Sequence, residues 1–300
     1  MKLLFIKSTI HGKNLNFILN CKKIDVRMIN HVNEIHDYNL NEYDAVYSPC
    51  DTLNLDIYQY PNTRFLFGPH FSVFPNEKNL NLIKGTNSVY IQPSEWAKQS
   101  WYSYNNTTND LKIVPFAFGV DTEKFNASYS NEKTKVFVYY KHRNPNELHK
   151  IENFLNNRSI QYKIFHYGHY NEQDYISYLR ECKYGVWVGA HESQGFALEE
   201  ALSSNVPLFV WNISSMNQEH GYNYQDCPAT TIPYWDERCG EYFYNINEIE
   251  DKFNLFLSKL ETYRPREYVV ENLSIEVREK ALIELIESIK LNNHKFNINQ

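Results

Sequence analysis

The sequence predicts an α/β fold made of two Rossmann-like domains, and three observations carry that prediction. Short apolar runs alternate with polar, helix-compatible stretches through the first half. A polar segment without periodicity, Asn126 to Lys133 (NASYSNEK), then interrupts them, and the alternation restarts at Val136. Strands that alternate with helices are joined by crossovers, which gives a parallel sheet covered on both faces. A chain of 300 residues has room for two medium domains, and 42% hydrophobic with 16% aromatic residues supplies each with a core.

The elements follow in order. Leu3 to Ile6 is a continuous apolar run, as a strand buried on both faces requires. Asn14 to Cys21 reads as a helix, and Val26 to Ile29, Ala45 to Tyr47, Phe65 to Phe67 and Val89 to Ile91 as short strands. Ser94 stands where an N-cap belongs, ahead of a helix to Tyr104 that carries tryptophan at helical spacing, and Leu111 to Pro115 is the next strand. After the polar linker come strand Val136 to Tyr140, helix Glu147 to Asn156, strand Tyr162 to His166, helix Gln173 to Cys182 and strand Tyr184 to Gly189. The expected boundaries are residues 1–128 and 129–275 for the two domains and 276–290 for a closing helix packed back on the first domain. A tail, 291–300, is expected to be disordered.

Composition narrows the function. A net charge of −6 offers no basic field to nucleic acid or to an anionic membrane, so nucleic acid is not an expected partner. Five scattered cysteines with no C-x2-C pair fit reduced thiols and a cytoplasmic location. The apolar start of MKLLFIKSTI is too short for a signal peptide, and no run approaches the roughly 18 apolar residues of a membrane span. A soluble protein is expected, with peripheral membrane contact left open. No P-loop, G-x-S-x-G or G-x-G-x-x-G motif occurs, and no histidine spacing suggests a metal site.

The segment His191 to Trp211, HESQGFALEEALSSNVPLFVW, is the most specific part of the chain. An apolar strand leads into Gly195, a helix follows from about Phe196 to Ser204, and Pro207 to Trp211 is a second strand. A glycine turn that opens a helix exposes backbone N–H groups and the positive end of the helix dipole to an anion. Glu192 and Glu200 flank that point. Carboxylates repel phosphate, so they are better suited to hydroxyls. Phosphate with hydroxyls on both sides describes a nucleotide-sugar.

Glu192, Gly195, Glu200-Ala201 and Pro207 resemble the E-x7-E donor motif of retaining GT-B glycosyltransferases, the large family four. Val114 to Phe125 (VPFAFGVDTEKF) is similar to the hinge signature between the two domains of those enzymes, and Glu271 to Ile289 to their closing helix. The resemblance implies a GT-B fold, two Rossmann-like domains facing a central cleft. It implies transfer of a hexose-type sugar from a nucleoside-diphosphate sugar to a hydroxyl of a glycan or another acceptor, with retention of configuration.

Carried onto this chain, the resemblance gives Glu192 and His70 as the catalytic residues, Glu192 facing the donor sugar and His70 contacting the donor sugar or the acceptor hydroxyl. Glu200 would hold the ribose, and the backbone of Gly195, Phe196 and Ala197 the distal phosphate. Lys141 and Arg143, just after the first strand of the second domain, would neutralise the diphosphate. Apart from the resemblance, the YGHY turn after the second strand of the second domain places Gly168, His169 and Tyr170 where a ring can stack on a nucleobase, the alternative being core or surface aromatics in a tyrosine-rich chain. Glu199 has the wrong spacing and is expected at the surface. No cofactor is implied; the D-x-D pair with which the other main glycosyltransferase fold holds a metal is missing, so no metal is expected. Two departures stand out: one strand–helix unit fewer between Arg143 and Glu192, and only His11-Gly12 where a glycine-rich loop belongs. The alternatives are an inactive nucleotide-sugar-binding or structural homologue, and a GT-B sugar-nucleotide epimerase, whose acid and base residues are not found.

Overall fold

The computed structural model describes residues 1–71, 74, 85–104, 108, 110–127 and 133–291. Part of the expected linker (128–132) and the tail from 292 lie outside the described residues. The chain divides into two compact units, Met1–Gly119 with the segment from Ile275 onward, and Val120–Ser274.

Unit 1 holds a six-stranded parallel sheet in the order β2-β1-β3-β4-β5-β6. Its strands are β1 (Lys2–Ile6), β2 (Asp25–Ile29), β3 (Ala45–Ser48), β4 (Arg64–Phe67), β5 (Ser88–Gln92) and β6 (Ile113–Pro115). The central strands are apolar on both faces because helices and loops cover both, and Leu3 to Ile6, Val46 and Phe65 to Phe67 are fully buried. Each such side chain contributes about 1.5–3 kcal/mol by leaving water. Helix α1 (Gly12–Asn20) follows β1, and α2 (Glu95–Tyr104) follows β5. The Ser94 carbonyl accepts from Lys98 N, but among the described residues its hydroxyl has no partner, so it does not cap α2 as expected.

Unit 2 holds a five-stranded parallel sheet in the order β11-β10-β9-β7-β8. In chain order its elements are β7 (Lys135–Lys141), α3 (Pro145–Asn157), β8 (Lys163–His166), α4 (Glu172–Leu179), β9 (Cys182–Gly189), α5 (Phe196–Ser203), β10 (Leu208–Trp211), β11 (Gly240–Phe243), α6 (Ile249–Ser258) and α7 (Pro265–Asn272). One face packs Val136, Val138, Val186, Val188 and Phe209 against Ile151, Phe253 and Phe256. The other is aromatic: Tyr139 stacks on Trp187 with ring centroids 3.9 Å apart, and Phe137, Phe165 and Tyr175 meet edge to face. The strand order reverses between β7 and β9, the switch point outside which such sheets bind ligands.

The closing helix is not one rod over Glu271 to Ile289. It breaks at Leu273-Ser274, where Val120 N donates to Leu273 O at 2.8 Å and Val120 bridges to Ser274. Helix α8 (Ile275–Glu287) then belongs to unit 1. There Arg278 Nε donates to Ala117 O at 2.8 Å, and Leu282 and Ile286 are buried. The chain thus leaves unit 1 at Gly119, earlier than the boundary expected at 128, and returns at Ile275. A Cβ on Gly119 would lie 2.6 Å from Ile275 Cα, so only glycine allows that close approach.

All five cysteines are free, and burial pushes the Cys182 and Cys239 thiols up to about 12. Among the described residues no helix is long and apolar enough to cross a membrane.

Candidate functional site

Strands β7 and β9 run side by side in register, Lys141 beside Gly189, so the residues that follow them emerge together. Lys141 Nζ lies 2.8 Å from Glu192 Oε2 and 4.7 Å above the ring of Tyr167. Burial alone would lower the Lys141 pKa, but the charge and hydrogen bond of Glu192 override it and the pKa is raised. Glu192 is itself buried at 9% exposure, with its backbone N donating to Thr230 O.

Gly195 precedes α5 with φ +96°, and its carbonyl accepts from Glu199 N at 2.9 Å. Phe196 and Ala197 form the first, part-exposed turn, where helix N–H groups lack intrahelical partners. An added Cβ would make only ordinary contacts, 3.4 Å from Glu192 Cβ. Gly195→Ala therefore isolates the backbone cost of a left-handed residue. It is expected to lose about 1–2 kcal/mol of stability, read from urea unfolding; an unchanged midpoint would contradict the conformation.

The rest of α5 has no solvent face. Leu198 to Ser203 are all buried because α7 packs on α5. This corrects the expectation for Glu199, which is 0% exposed and accepts from Gln194 Nε2 at 3.0 Å. Glu200, at 4% exposure, lies close enough to Tyr175 that its charge, after burial and Tyr170, raises that phenol's pKa. The Tyr175 hydroxyl donates to Ala197 O at 2.9 Å and so ties α4 to the opening of α5.

Arg143 is placed differently from the expectation that it meets phosphate. It is 1% exposed, and its guanidinium is committed within the fold. Nε and Nη2 donate to the two oxygens of Glu147 at 2.8 and 2.7 Å, and Nη1 donates to Gly189 O at 3.1 Å and Trp211 O at 3.0 Å. Its Cζ sits 5.1 Å over the Trp211 ring. The residue thereby bolts the ends of β9 and β10 to the start of α3, leaving Lys141 as the basic group beside Glu192.

The YGHY turn after β8 also differs from expectation. Gly168 (φ +75°) and His169 are exposed, while Tyr170 turns inward among Tyr139, Phe165 and Tyr175. The exposed ring is Tyr167, 5.4 Å from His142 at an interplanar angle of 84°.

Sequence reasoning missed one group, Glu219, carried by the long excursion after β10. It is 6% exposed, with Oε1 2.9 Å from His142 Nδ1 and Oε2 paired with His191 Nδ1. Burial alone would raise its pKa; hydrogen bonds from His191 and His142 more than reverse this, and the carboxylate is held below its ordinary range. The only sequence signal was the mirrored order Lys141-His142 and His191-Glu192 after two strands. Tyr222 and Tyr224 stack 5.4 Å apart next to these histidines.

In unit 1, His70 follows β4, and its backbone N donates to Pro49 O after β3. Its Nε2 lies 2.8 Å from Asn14 Nδ2 of α1, and its ring stacks on His11 at 6.5 Å. Burial and then His11 lower its pKa to about 4, so the ring is neutral at ordinary pH. Among the described residues no group of three or more His, Cys, Asp or Glu is placed to hold a metal ion.

No protein-family model and no curated protein matches the sequence. Solved structures do match. A mutant of TarM from S. aureus, in complex with fondaparinux, alpha-GlcNAc-glycerol and UDP, aligns with a TM-score of 0.55 at 15% identity, covering 86% of this chain and 58% of TarM. The lipopolysaccharide outer core galactosyltransferase WaaB aligns at 0.55 and 14% identity, over 96% of this chain and 99% of WaaB. Sucrose-phosphate synthase from Thermosynechococcus elongatus aligns at 0.53 and 10% identity, over 95% and 98%. The fold is GT-B. The chain spans little more than half of TarM, 58%, but nearly all of WaaB. Identities of 10–15% establish the GT-B architecture alone, and the chemistry rests on this chain's own residues.

Proposed function

We propose that the chain is a retaining glycosyltransferase moving a hexose-type sugar from a nucleoside-diphosphate sugar to a hydroxyl of a glycan or another acceptor. The observation that carries this reading is the Lys141–Glu192 pair at the β7/β9 switch point, beside the helix opening at Gly195. The UDP bound in the TarM structure and the galactosyltransferase activity in WaaB's name support it.

The opening turn of α5, Gly195 to Ala197, would take the distal phosphate on backbone N–H groups, with Lys141 adding a point charge. Negative charge develops on the leaving diphosphate as the glycosidic bond breaks, and groups already aimed at it need no reorganisation. Glu192 would lie against the sugar and Glu200 hold the ribose hydroxyls. Tyr167, rather than Tyr170, offers an exposed ring to the base. His70, neutral, would hydrogen-bond a sugar or acceptor hydroxyl. A cytoplasmic location and a reaction without divalent metal belong to the same proposal.

The test is thermal stabilisation by UDP-, GDP-, ADP- and TDP-sugars, since a ligand that binds the native state raises stability with the logarithm of its concentration over Kd. One of them is expected to shift the midpoint. Lys141→Met should then weaken the matching nucleoside diphosphate about tenfold, the worth of one charge-assisted hydrogen bond, and leave the nucleoside unchanged. Equal effects on both ligands would remove Lys141 from the phosphate site.

A further inference from the structure

We infer that Glu219 is a positioning residue, a carboxylate clamp that holds the ends of β7 and β9 in the arrangement that pairs Lys141 with Glu192. The inference rests on the proposed function only for its effect on ligand binding; the clamp itself is a matter of geometry.

Two ties cross between the same pair of chain ends. Lys141 reaches Glu192, and the residues next to them, His142 and His191, both reach Glu219. Glu219 thus adds a second tie between the two chain ends, one residue along from the first on each.

The first chain end needs holding. His142 has φ +49°, a left-handed conformation that a non-glycine residue adopts only when surrounding contacts impose it. Two contacts do so, and both come from the same excursion. His220 N donates to His142 O at 2.8 Å, and Glu219 takes the imidazole. If His142 relaxed toward an ordinary conformation, the chain direction after Lys141 would change, and its ammonium would move relative to Glu192.

The excursion is itself built to deliver Glu219. Its short helical turn, Met216–Gln218, is capped by Ser215, whose hydroxyl accepts from Asn217 N. Met216 is fully buried, with its N donating to Cys227 O, and Ala229 N donates to Ser214 O. Glu219 N closes the turn on Met216 O at 3.1 Å. The carboxylate is thus presented from a loop anchored at both ends. One oxygen is hydrogen-bonded to His142 Nδ1 and the other lies against His191 Nδ1, and an anionic oxygen facing a ring nitrogen favours a proton on that nitrogen in each histidine.

The first measurement needs no ligand. Long-range proton–nitrogen spectra of the histidines, assigned with His142→Gln and His191→Gln, are expected to show both imidazoles carrying a proton on Nδ1. In Glu219→Gln, whose amide offers one acceptor oxygen, at least one ring should lose that pattern. Two rings unchanged in Glu219→Gln overturn the clamp.

The second measurement asks whether the clamp acts through Lys141. Glu219→Gln and Lys141→Met are each expected to weaken nucleoside-diphosphate binding about tenfold, and the double variant also about tenfold rather than a hundredfold. Additive losses, or no loss in Glu219→Gln, overturn the positioning role. If Glu219→Gln does not fold, His142→Gln takes its place in the same cycle. If the wild-type chain binds none of UDP, GDP, ADP and TDP, the glycosyltransferase reading falls while the spectra still decide the clamp.

Discussion

Arg143→Ala is expected to destabilise unit 2 by about 3–5 kcal/mol, the cost of breaking a buried ion pair from one side. The substitution leaves the Glu147 carboxylate without its bidentate partner and strips donors from the carbonyls of Gly189 and Trp211. It also opens a cavity beside the Trp211 ring. The Glu147 side chain left behind is 24% exposed and regains some solvation, so the loss belongs at the low end of that range, with the two stranded carbonyls contributing the rest. Urea unfolding should show a much lower midpoint at an unchanged slope, since the surface exposed on unfolding stays the same. A variant with the wild-type midpoint but selectively weakened diphosphate binding would reverse the assignment and make Arg143 a ligand contact.

Glu192→Gln is expected to lower kcat on the donor by about a hundredfold or more, the scale seen when a group aimed at developing charge is removed. The same change removes the negative partner of Lys141. The ammonium is then free to serve phosphate alone, so diphosphate affinity should hold or improve. Glu200→Gln is expected to do the reverse and raise KM about tenfold, because an amide has one acceptor oxygen where a carboxylate has two for the ribose. A contact made only in the transition state lowers kcat and kcat/KM together, whereas uniform binding appears in KM, so the two variants separate in one assay. Glu199 cannot serve as the neutral comparison, being buried against Gln194; exposed Glu237 can. If Glu192→Gln and Glu237→Gln turn over alike, the site is misplaced.

The central strands could be read from the sequence because a parallel strand covered on both faces must be apolar throughout, and Leu3 to Ile6 and Val136 to Tyr140 are. Strand β11 could not: it lies at the sheet edge, and its GEYF mixes buried Gly240 and Phe243 with an exposed Tyr242. Missing β11 and α7 had a consequence at the site. Glu199 has the wrong spacing to Glu192 for the donor motif, which suggests a surface position, and only α7 packed on α5 shows that it is buried. A basic residue just past a strand looks like a phosphate grip, but the Arg143 guanidinium is bonded to Glu147, Gly189 and Trp211. The capping box of Asn144 and Glu147, which brings Glu147 one turn from Arg143, was the local sign of its real partner. Glu219 left no comparable sign. It lies in an irregular stretch after β10, and only folding brings it to His142 and His191.

The two ends of unit 2 meet. Val120 and Ser274 are bridged, and Arg266 of α7 donates through Nη1 to Thr122 O, Phe125 O and Ser203 O, so the first and last residues of the segment are stitched to one another. Unit 1, by contrast, is assembled from two separated stretches of chain. In genetic terms unit 2 is a cassette inserted into unit 1. One uninterrupted coding segment, 120 to 274, carries Lys141, His142, His191, Glu192, Gly195, Glu200 and Glu219 together, with its entry and exit side by side. Both cassette boundaries fall outside the strands of the host sheet, the last of which ends at Pro115.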